Sequence, residues 1–222
     1  MAPPKSLPNG IPTSSNTVQP APAAVPNGVT STGTAVQDGA ETKHKHIWLV
    51  TGPAGCGKST VAKALATHLN MPYIEGDEFH PPANIEKMSN GIPLTDADRW
   101  DWLTALRQES VRHIDAGNHG VVLTCSALKR KYRDVIRVAP YFAPGVFLHF
   151  IYLHAPEEVL LKRVGARQGH YMGANMVHSQ FSILEPPMED ETDVISIDVS
   201  RTPQEVMDDV LAQVQQTMES DE

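Results

Sequence analysis

Short apolar runs alternate along the chain with stretches in which apolar residues recur every three or four positions. Ile47-Trp48-Leu49-Val50 is a continuous apolar run that stops at Thr51-Gly52. A run of that length with no polar alternation predicts a strand buried on both faces. After a glycine-rich stretch, Val61, Leu65 and Leu69 recur at helical spacing. Tyr73-Ile74 reads as a second short strand. Trp100, Leu103, Leu106 and Ile114 share one side of a helix predicted over 96–116. Val121-Val122-Leu123 is a third strand, followed by a helix over 128–138. A fourth strand runs from Phe147 to Leu153, bounded by Pro156, and a helix follows to about Val164. The last strand is Val194 to Ile197. The final helix carries Val206, Val210 and Val214 four apart, with Met207 and Leu211 beside them.

Strand alternating with helix predicts an α/β fold, a parallel five-stranded sheet with helices on both faces. One stretch breaks the alternation. Residues 165–190 are rich in Gly, Met and polar residues and are long for a plain connection, which is the mark of a lid. Residues 1–43 differ from everything after them. They hold 7 of the 18 prolines, no Phe, Trp or Tyr, and four charges that cancel, Lys5, Asp38, Glu41 and Lys43. Such a segment buries too little apolar surface to offset its ordering entropy. It is expected to be a disordered tail ahead of one folded domain over 44–222.

Composition narrows the function classes. The 222 residues carry a formal net charge of −8 and are 41% hydrophobic, enough for one core. With a pI of about 5.6 the chain is not expected to bind nucleic acid. No apolar run is long enough to span a membrane. Two cysteines, Cys56 and Cys125, make neither a disulfide framework nor a zinc site, and no presequence is evident, so a cytoplasmic location is expected. His44 and His46 have the spacing of a metal pair but lie at the tail junction, and are read as structural.

The glycine-rich stretch carries the chemistry. Gly52-Pro53-Ala54-Gly55-Cys56-Gly57-Lys58-Ser59 satisfies G-x-x-x-x-G-K-[ST] at every fixed position, between a strand and a helix as the mechanism requires. Backbone amides there wrap a phosphate chain, the helix starting near Lys58 adds the positive end of its dipole, and Thr60 follows in its first turn. Lys58 is expected on the β- and γ-phosphates of ATP, and Ser59 on Mg²⁺. Cys56 is expected to be a small residue the loop requires rather than a redox thiol. The third strand ends without the aspartate that motor ATPases place there, and no Asn-Lys-x-Asp guanine-reading motif occurs. Both absences favour a small-molecule kinase over a nucleotide switch. Glu75 and Asp77, two apart at the end of the second strand, would share a face if the strand ran through them. Asp77 is then a candidate general base and Glu75 a support for the metal through water.

Three longer motifs are more specific. Gly76-Asp77-Glu78-Phe79-His80-Pro81-Pro82-Ala83-Asn84-Ile85-Glu86-Lys87-Met88 with Gly91-Ile92-Pro93-Leu94-Thr95-Asp96-Ala97-Asp98-Arg99, then Cys125-Ser126-Ala127-Leu128-Lys129-Arg130-Lys131-Tyr132-Arg133-Asp134, then Ala166-Arg167-Gln168-Gly169-His170-Tyr171-Met172 continuing to Ser179-Gln180-Phe181, together resemble the gluconokinase family. The resemblance covers about residues 46–216 and not the tail. It implies the three-layer P-loop kinase fold with a lid, commonly a homodimer. It also implies ATP-dependent phosphorylation of D-gluconate to 6-phospho-D-gluconate, feeding the pentose phosphate pathway. Glu75 stands where Asp is more usual, and Tyr171 where Phe is common.

Gluconate carries a carboxylate and five hydroxyls, so its site needs cations and hydrogen-bonding groups. Arg99, Lys129 and Arg133 are the expected cations, the last two on one helix face. His80, in a turn stiffened by two prolines, is an expected substrate contact. Asp98 is left between a helix-dipole role and another. Arg163 and Arg167, four apart at the lid's entry, are expected to reach the transferring phosphate, and His170 to touch either ligand. A kinase for another sugar acid or polyol, and a catalytically silent nucleotide-binding module, stay open as alternatives.

Overall fold

Ile47, Trp48, Leu49 and Val50 are all inaccessible to solvent, so the strand they form needs cover on both faces and neighbours on both edges. The computed structural model, which describes residues 44–166 and 173–221, supplies both. Five parallel strands, β1 (Lys45–Thr51), β2 (Tyr73–Ile74), β3 (Gly120–Thr124), β4 (Val146–His154) and β5 (Val194–Asp198), lie in the order β2-β3-β1-β4-β5. The register pairs Trp48 with Val122 on one side and with His149 on the other. The expected tail over 1–43 lies outside the described residues.

Alternation along β1 divides the core in two. Trp48 and Val50 join one apolar cluster with α1 (Lys58–His68), α6 (Glu157–Gly165), α7 (Gly173–Phe181) and α8 (Pro203–Ser220). Ile47 and Leu49 join the other with α3 (Trp100–Asp115), α4 (Arg130–Arg137) and α5 (Ala139–Phe142). The result is the expected three-layer arrangement. α8 shows how the sequence specifies an element. Thr202 and Glu205 form a reciprocal capping box, Pro203 occupies the first turn, and Val206, Val210 and Val214 are buried on one face. Each buried valine contributes about 1.5–3 kcal/mol. β3 and β4 leave β1 on opposite sides, so the crevice at its carboxyl end is where an open parallel sheet receives a ligand.

Helices appear where none is expected from the pattern. α2 (Pro82–Ser89) buries only Asn84, so it has no apolar stripe to betray it. Within the stretch expected to form a lid, α7 runs Gly173–Phe181 and buries Val177 against the first cluster. Residues 167–172 lie outside the described residues. The return from α7 to β5 is fastened to α4. Glu185 donates its N–H to the Leu128 carbonyl at 2.8 Å, and its carboxylate accepts from the Arg130 N–H at 2.8 Å. Arg137 reaches Asp193 at 2.8 Å.

Candidate active site

β1 delivers the chain to the carboxyl edge of the sheet at Thr51, where the Thr51 hydroxyl donates to the Ser126 carbonyl at 2.6 Å. The turn from Gly52 to Gly57 then reverses into α1. Two glycines are required by geometry. Gly52 has φ 139° and a side chain there would meet the Leu153 carbonyl oxygen at 2.3 Å; Gly55 has φ 84° and would meet Val164 at 2.7 Å. The Lys58 ammonium donates to the carbonyls of Gly52 at 2.9 Å and Pro53 at 3.1 Å, closing the loop on itself. Ser59 sits in the first turn of α1, and Thr60 beside it is exposed. Cys56 is buried, and burial pushes its thiol up, so it is inert packing. The Ala54 N–H donates to the side-chain oxygen of Gln180 on α7 at 2.6 Å, tying the lid segment to the loop.

Glu75 faces Ser59 from the end of β2. Burial pushes its carboxyl up, but hydrogen bonds from Thr124, Tyr73 and Ser59 outweigh burial and hold it below the usual range. Tyr73 Oη and Thr124 Oγ1 each reach it at 2.5 Å. Tyr73 is in turn pushed up to about 12, by burial first and the Glu75 bond second. This ionised carboxylate beside a hydroxyl is an all-oxygen donor set of the kind Mg²⁺ selects. Asp77 corrects the strand reading. β2 ends at Ile74, Glu75 is extended, and Gly76–Phe79 is a turn of 3₁₀ helix, so the pleat does not align the two acids. Asp77 is exposed on that turn; its carbonyl accepts from the His80 N–H at 3.5 Å, and its carboxylate accepts no hydrogen bond among the described residues.

His80 closes the turn. It is buried, its ring stacked on Trp102 at 4.0 Å, and its Nδ1 lies 3.4 Å from the Asn84 amide. Burial lowers its pKa, so it is neutral. Arg99 uses only Nη1 among the described residues, donating to Leu94 O at 2.5 Å and Thr95 O at 3.0 Å, while its guanidinium lies over the Tyr132 ring at 5.4 Å. Lys129 donates to Asp96 at 2.9 Å, and Lys131 and the Tyr132 hydroxyl donate to the same carboxylate. Asp98 is a fastener. It accepts from Lys87 at 2.6 Å and from the Thr95 N–H and hydroxyl, both at 2.8 Å, joining α2 to the turn before α3.

Arg133 is not free for a substrate. Its side chain is 2% exposed, and Nε and Nη2 each meet Glu191 at 2.7 Å. Nη1 donates to the carbonyls of Ala127 at 3.3 Å and Glu185 at 3.1 Å. Helical spacing put it beside Lys129; the acid that claims it arrives from the far side of the lid segment. Burial pushes the Glu191 carboxyl up, but Arg133 and Arg137 outweigh it and hold it at about 2. Glu191→Gln leaves Arg133 buried and short of its partner and is expected to cost about 3 kcal/mol in urea unfolding at pH 7. Because the folded pKa is depressed, the pair's stabilisation is present above the ordinary value of 4.5 and is lost as pH falls from there toward about 2. The variant should lack that part of the acid-side slope; an unchanged slope would show that the pair does not contribute.

Arg163 donates to the Val199 carbonyl at 2.5 Å, close enough to the phosphate loop for its charge to act on the Cys56 thiol. Arg167 and His170 lie outside the described residues. Cys125, just past the end of β3, is buried, and burial pushes its thiol up to about 12. Tyr73, Thr124, Asp96 and Gln180 belong to the site and are absent from the sequence-derived set. Tyr73 had a signal, standing two residues before Glu75 in the same extended stretch; the others answer to partners distant in sequence.

Gly76 sets the floor of the site. A β-carbon on it would lie 1.9 Å from the Thr124 carbonyl oxygen, its N–H donates to Thr124 Oγ1 at 3.0 Å, and its carbonyl accepts from Trp102 Nε1 at 2.7 Å. Gly76→Ala must push β2 off β3, and is expected to cost about 3 kcal/mol and to lower the melting temperature markedly. A melting temperature equal to that of the parent would refute the close approach.

Comparison with known proteins agrees with this arrangement. A family model described as an AAA domain matches residues 49–180, from β1 through α7. The "Probable gluconokinase" of Schizosaccharomyces pombe is 53% identical over 157 residues, 70% of this chain and 81% of that protein. The thermoresistant gluconokinase of Escherichia coli is 40% identical, covering 72% of this chain and 89% of its own length. A crystal structure of a gluconokinase from Sinorhizobium meliloti 1021 superposes with a TM-score of 0.69 at 40% identity, over 80% of this chain and 95% of that one. With a phosphate loop, a hydrogen-bonded carboxylate at Glu75 and these relatives, the chain belongs to the gluconokinase family of P-loop kinases.

Proposed function

We propose that the protein transfers the terminal phosphoryl group of ATP to D-gluconate, forming 6-phospho-D-gluconate. The observation that carries this is the phosphate loop, closed by Lys58 on Gly52 and Pro53, with the Glu75 carboxylate hydrogen-bonded to Thr124 at the end of β3 and the exposed Asp77 two residues further on. The loop amides of Gly52 to Thr60 and the Lys58 ammonium bind the β- and γ-phosphates. Ser59 and Glu75 would hold Mg²⁺, which would supply positive charge against the phosphates when bound. Asp77 accepts the proton as the acceptor hydroxyl attacks. Arg99 offers its unengaged Nε and Nη2 to the gluconate carboxylate, the planar fork that suits it. Lys129 and His80 line the same side. Arg163, with Arg167 and His170 from the lid segment, approaches the phosphoryl group as charge develops.

This reading places the enzyme in the cytoplasm, consistent with two buried free cysteines and with the lack, among the described residues, of a helix long and apolar enough to cross a membrane. It includes a homodimer, for which exposed Tyr141 and Phe142 supply apolar surface. The test is ADP release with a panel of sugar acids and their neutral analogues. D-gluconate should exceed D-glucose in kcat/KM by about 10²-fold or more, because without the carboxylate Arg99 is left unpaired. No turnover of gluconate would end the proposal.

A further inference from the structure

At the opposite end of β1 from the phosphate loop, three side chains meet that the kinase reaction does not use. His46 and His149 come from neighbouring strands and point to the face covered by α8, as Trp48 does. Asp221 follows the last residue of α8, its N–H donating to the Thr217 carbonyl at 3.1 Å. His46 Nδ1 lies 3.5 Å from His149 Nε2, His149 Nε2 lies 2.9 Å from Asp221 Oδ2, and His46 Nδ1 lies 3.7 Å from the same oxygen. The two histidines are 3% and 7% exposed.

We propose that His46, His149 and Asp221 form a binding site for a divalent transition-metal ion, Zn²⁺ being the best fit. Two imidazoles and a carboxylate are the donors that Zn²⁺ takes, with a water as the usual fourth ligand. Ligands held at about 2.0–2.1 Å in a tetrahedron lie about 3.3 Å apart. The three observed separations bracket that value. Hydrogen bonding does not account for the cluster as well. Asp221 Oδ2 is buried and, although it lies 2.9 Å from His149 Nε2, no N–H or O–H among the described residues is aimed at it in hydrogen-bonding geometry. Atoms that ligate a shared ion point at the ion and not at one another. Asp221 also sits at the negative end of the α8 dipole, where a carboxylate is disfavoured and a bound cation offsets the cost. The rings are pre-set, since Trp48 stacks on His149 at 4.5 Å and on His46 at 5.8 Å.

The full-length protein, stripped with EDTA, is titrated with Zn²⁺ against a chromophoric chelator, and with Co²⁺ followed by visible absorption. One equivalent should bind, Co²⁺ should show the intense d–d bands of a four-coordinate site, and Zn²⁺ should raise the melting temperature. Asp221→Asn and His149→Gln should each weaken Zn²⁺ binding by about 10–100-fold. Asp221→Asn, at the end of a helix and remote from the phosphate loop, should keep the parent's kcat. If His149→Gln does not fold, Asp221→Asn decides alone. Absence of stoichiometric binding, or equal binding and equal thermal shift in Asp221→Asn, would overturn the proposal and leave a side-chain clamp only.

Discussion

Lys58→Ala is expected to remain folded and to lose about 10³-fold in kcat. The two effects separate because the ammonium has different work in each state. In the structure it donates to two carbonyls of its own loop, Gly52 and Pro53, at the edge of a half-buried turn. Losing such bonds costs about 1–3 kcal/mol, which a domain with two apolar clusters withstands. In the reaction the same group faces oxygens on which charge is spread as the phosphoryl group leaves. A preorganised donor there is worth about 10²–10³-fold, and a full positive charge lies at the upper end. Circular dichroism and single-turnover kinetics on one preparation check both halves. A kcat within tenfold of the parent would mean that the loop is not the site of phosphoryl transfer.

Asp77→Asn is expected to lower kcat by about 10²–10⁴-fold while the KM for ATP holds. The Asp77 carboxylate is exposed and makes no hydrogen bond among the described residues, so its amide analogue breaks none. Loss of rate without loss of nucleotide affinity is therefore the signature of a proton acceptor. Steady-state kinetics with each substrate varied will show it. A kcat equal to the parent's would remove Asp77 from the base role and turn attention to its neighbour Glu75, whose carboxyl is already held by three donors.

The strands were legible because burial on both faces leaves an unbroken apolar run, as in Ile47–Val50. The phosphate loop was legible because close backbone approaches at Gly52 and Gly55 admit no other residue. α2 was not, since a helix that buries only Asn84 carries no hydrophobic period. α7 begins with Gly173 in a stretch that reads as loop, and buried Val177 is a single apolar anchor. The site was legible in its chemistry but less so in its partnerships. Spacing placed Lys129 and Arg133 together on a helix, yet what a cation does depends on which acid reaches it first. Glu191 takes Arg133 from 58 positions away, and Asp96 takes Lys129 from 33. The acid pair was recognised, but the turn at Gly76, forced by contact with Thr124, carries Asp77 out of the pleat.

The fastening of residues 185–193 makes them part of the α4 side of the molecule. Glu185 is held at its N–H, its carbonyl and its carboxylate, and Glu191 at both oxygens. Ser182, Ile183 and Leu184 donate their N–H groups back to α7 at 3.0, 3.3 and 3.3 Å, so the chain passes from the hold of α7 to that of α4 between Leu184 and Glu185. Lys129 at the start of α4 is held beside Asp96 by a contact in which α7 has no part, so the acceptor side of the site takes its shape from α4 and the Asp96 turn.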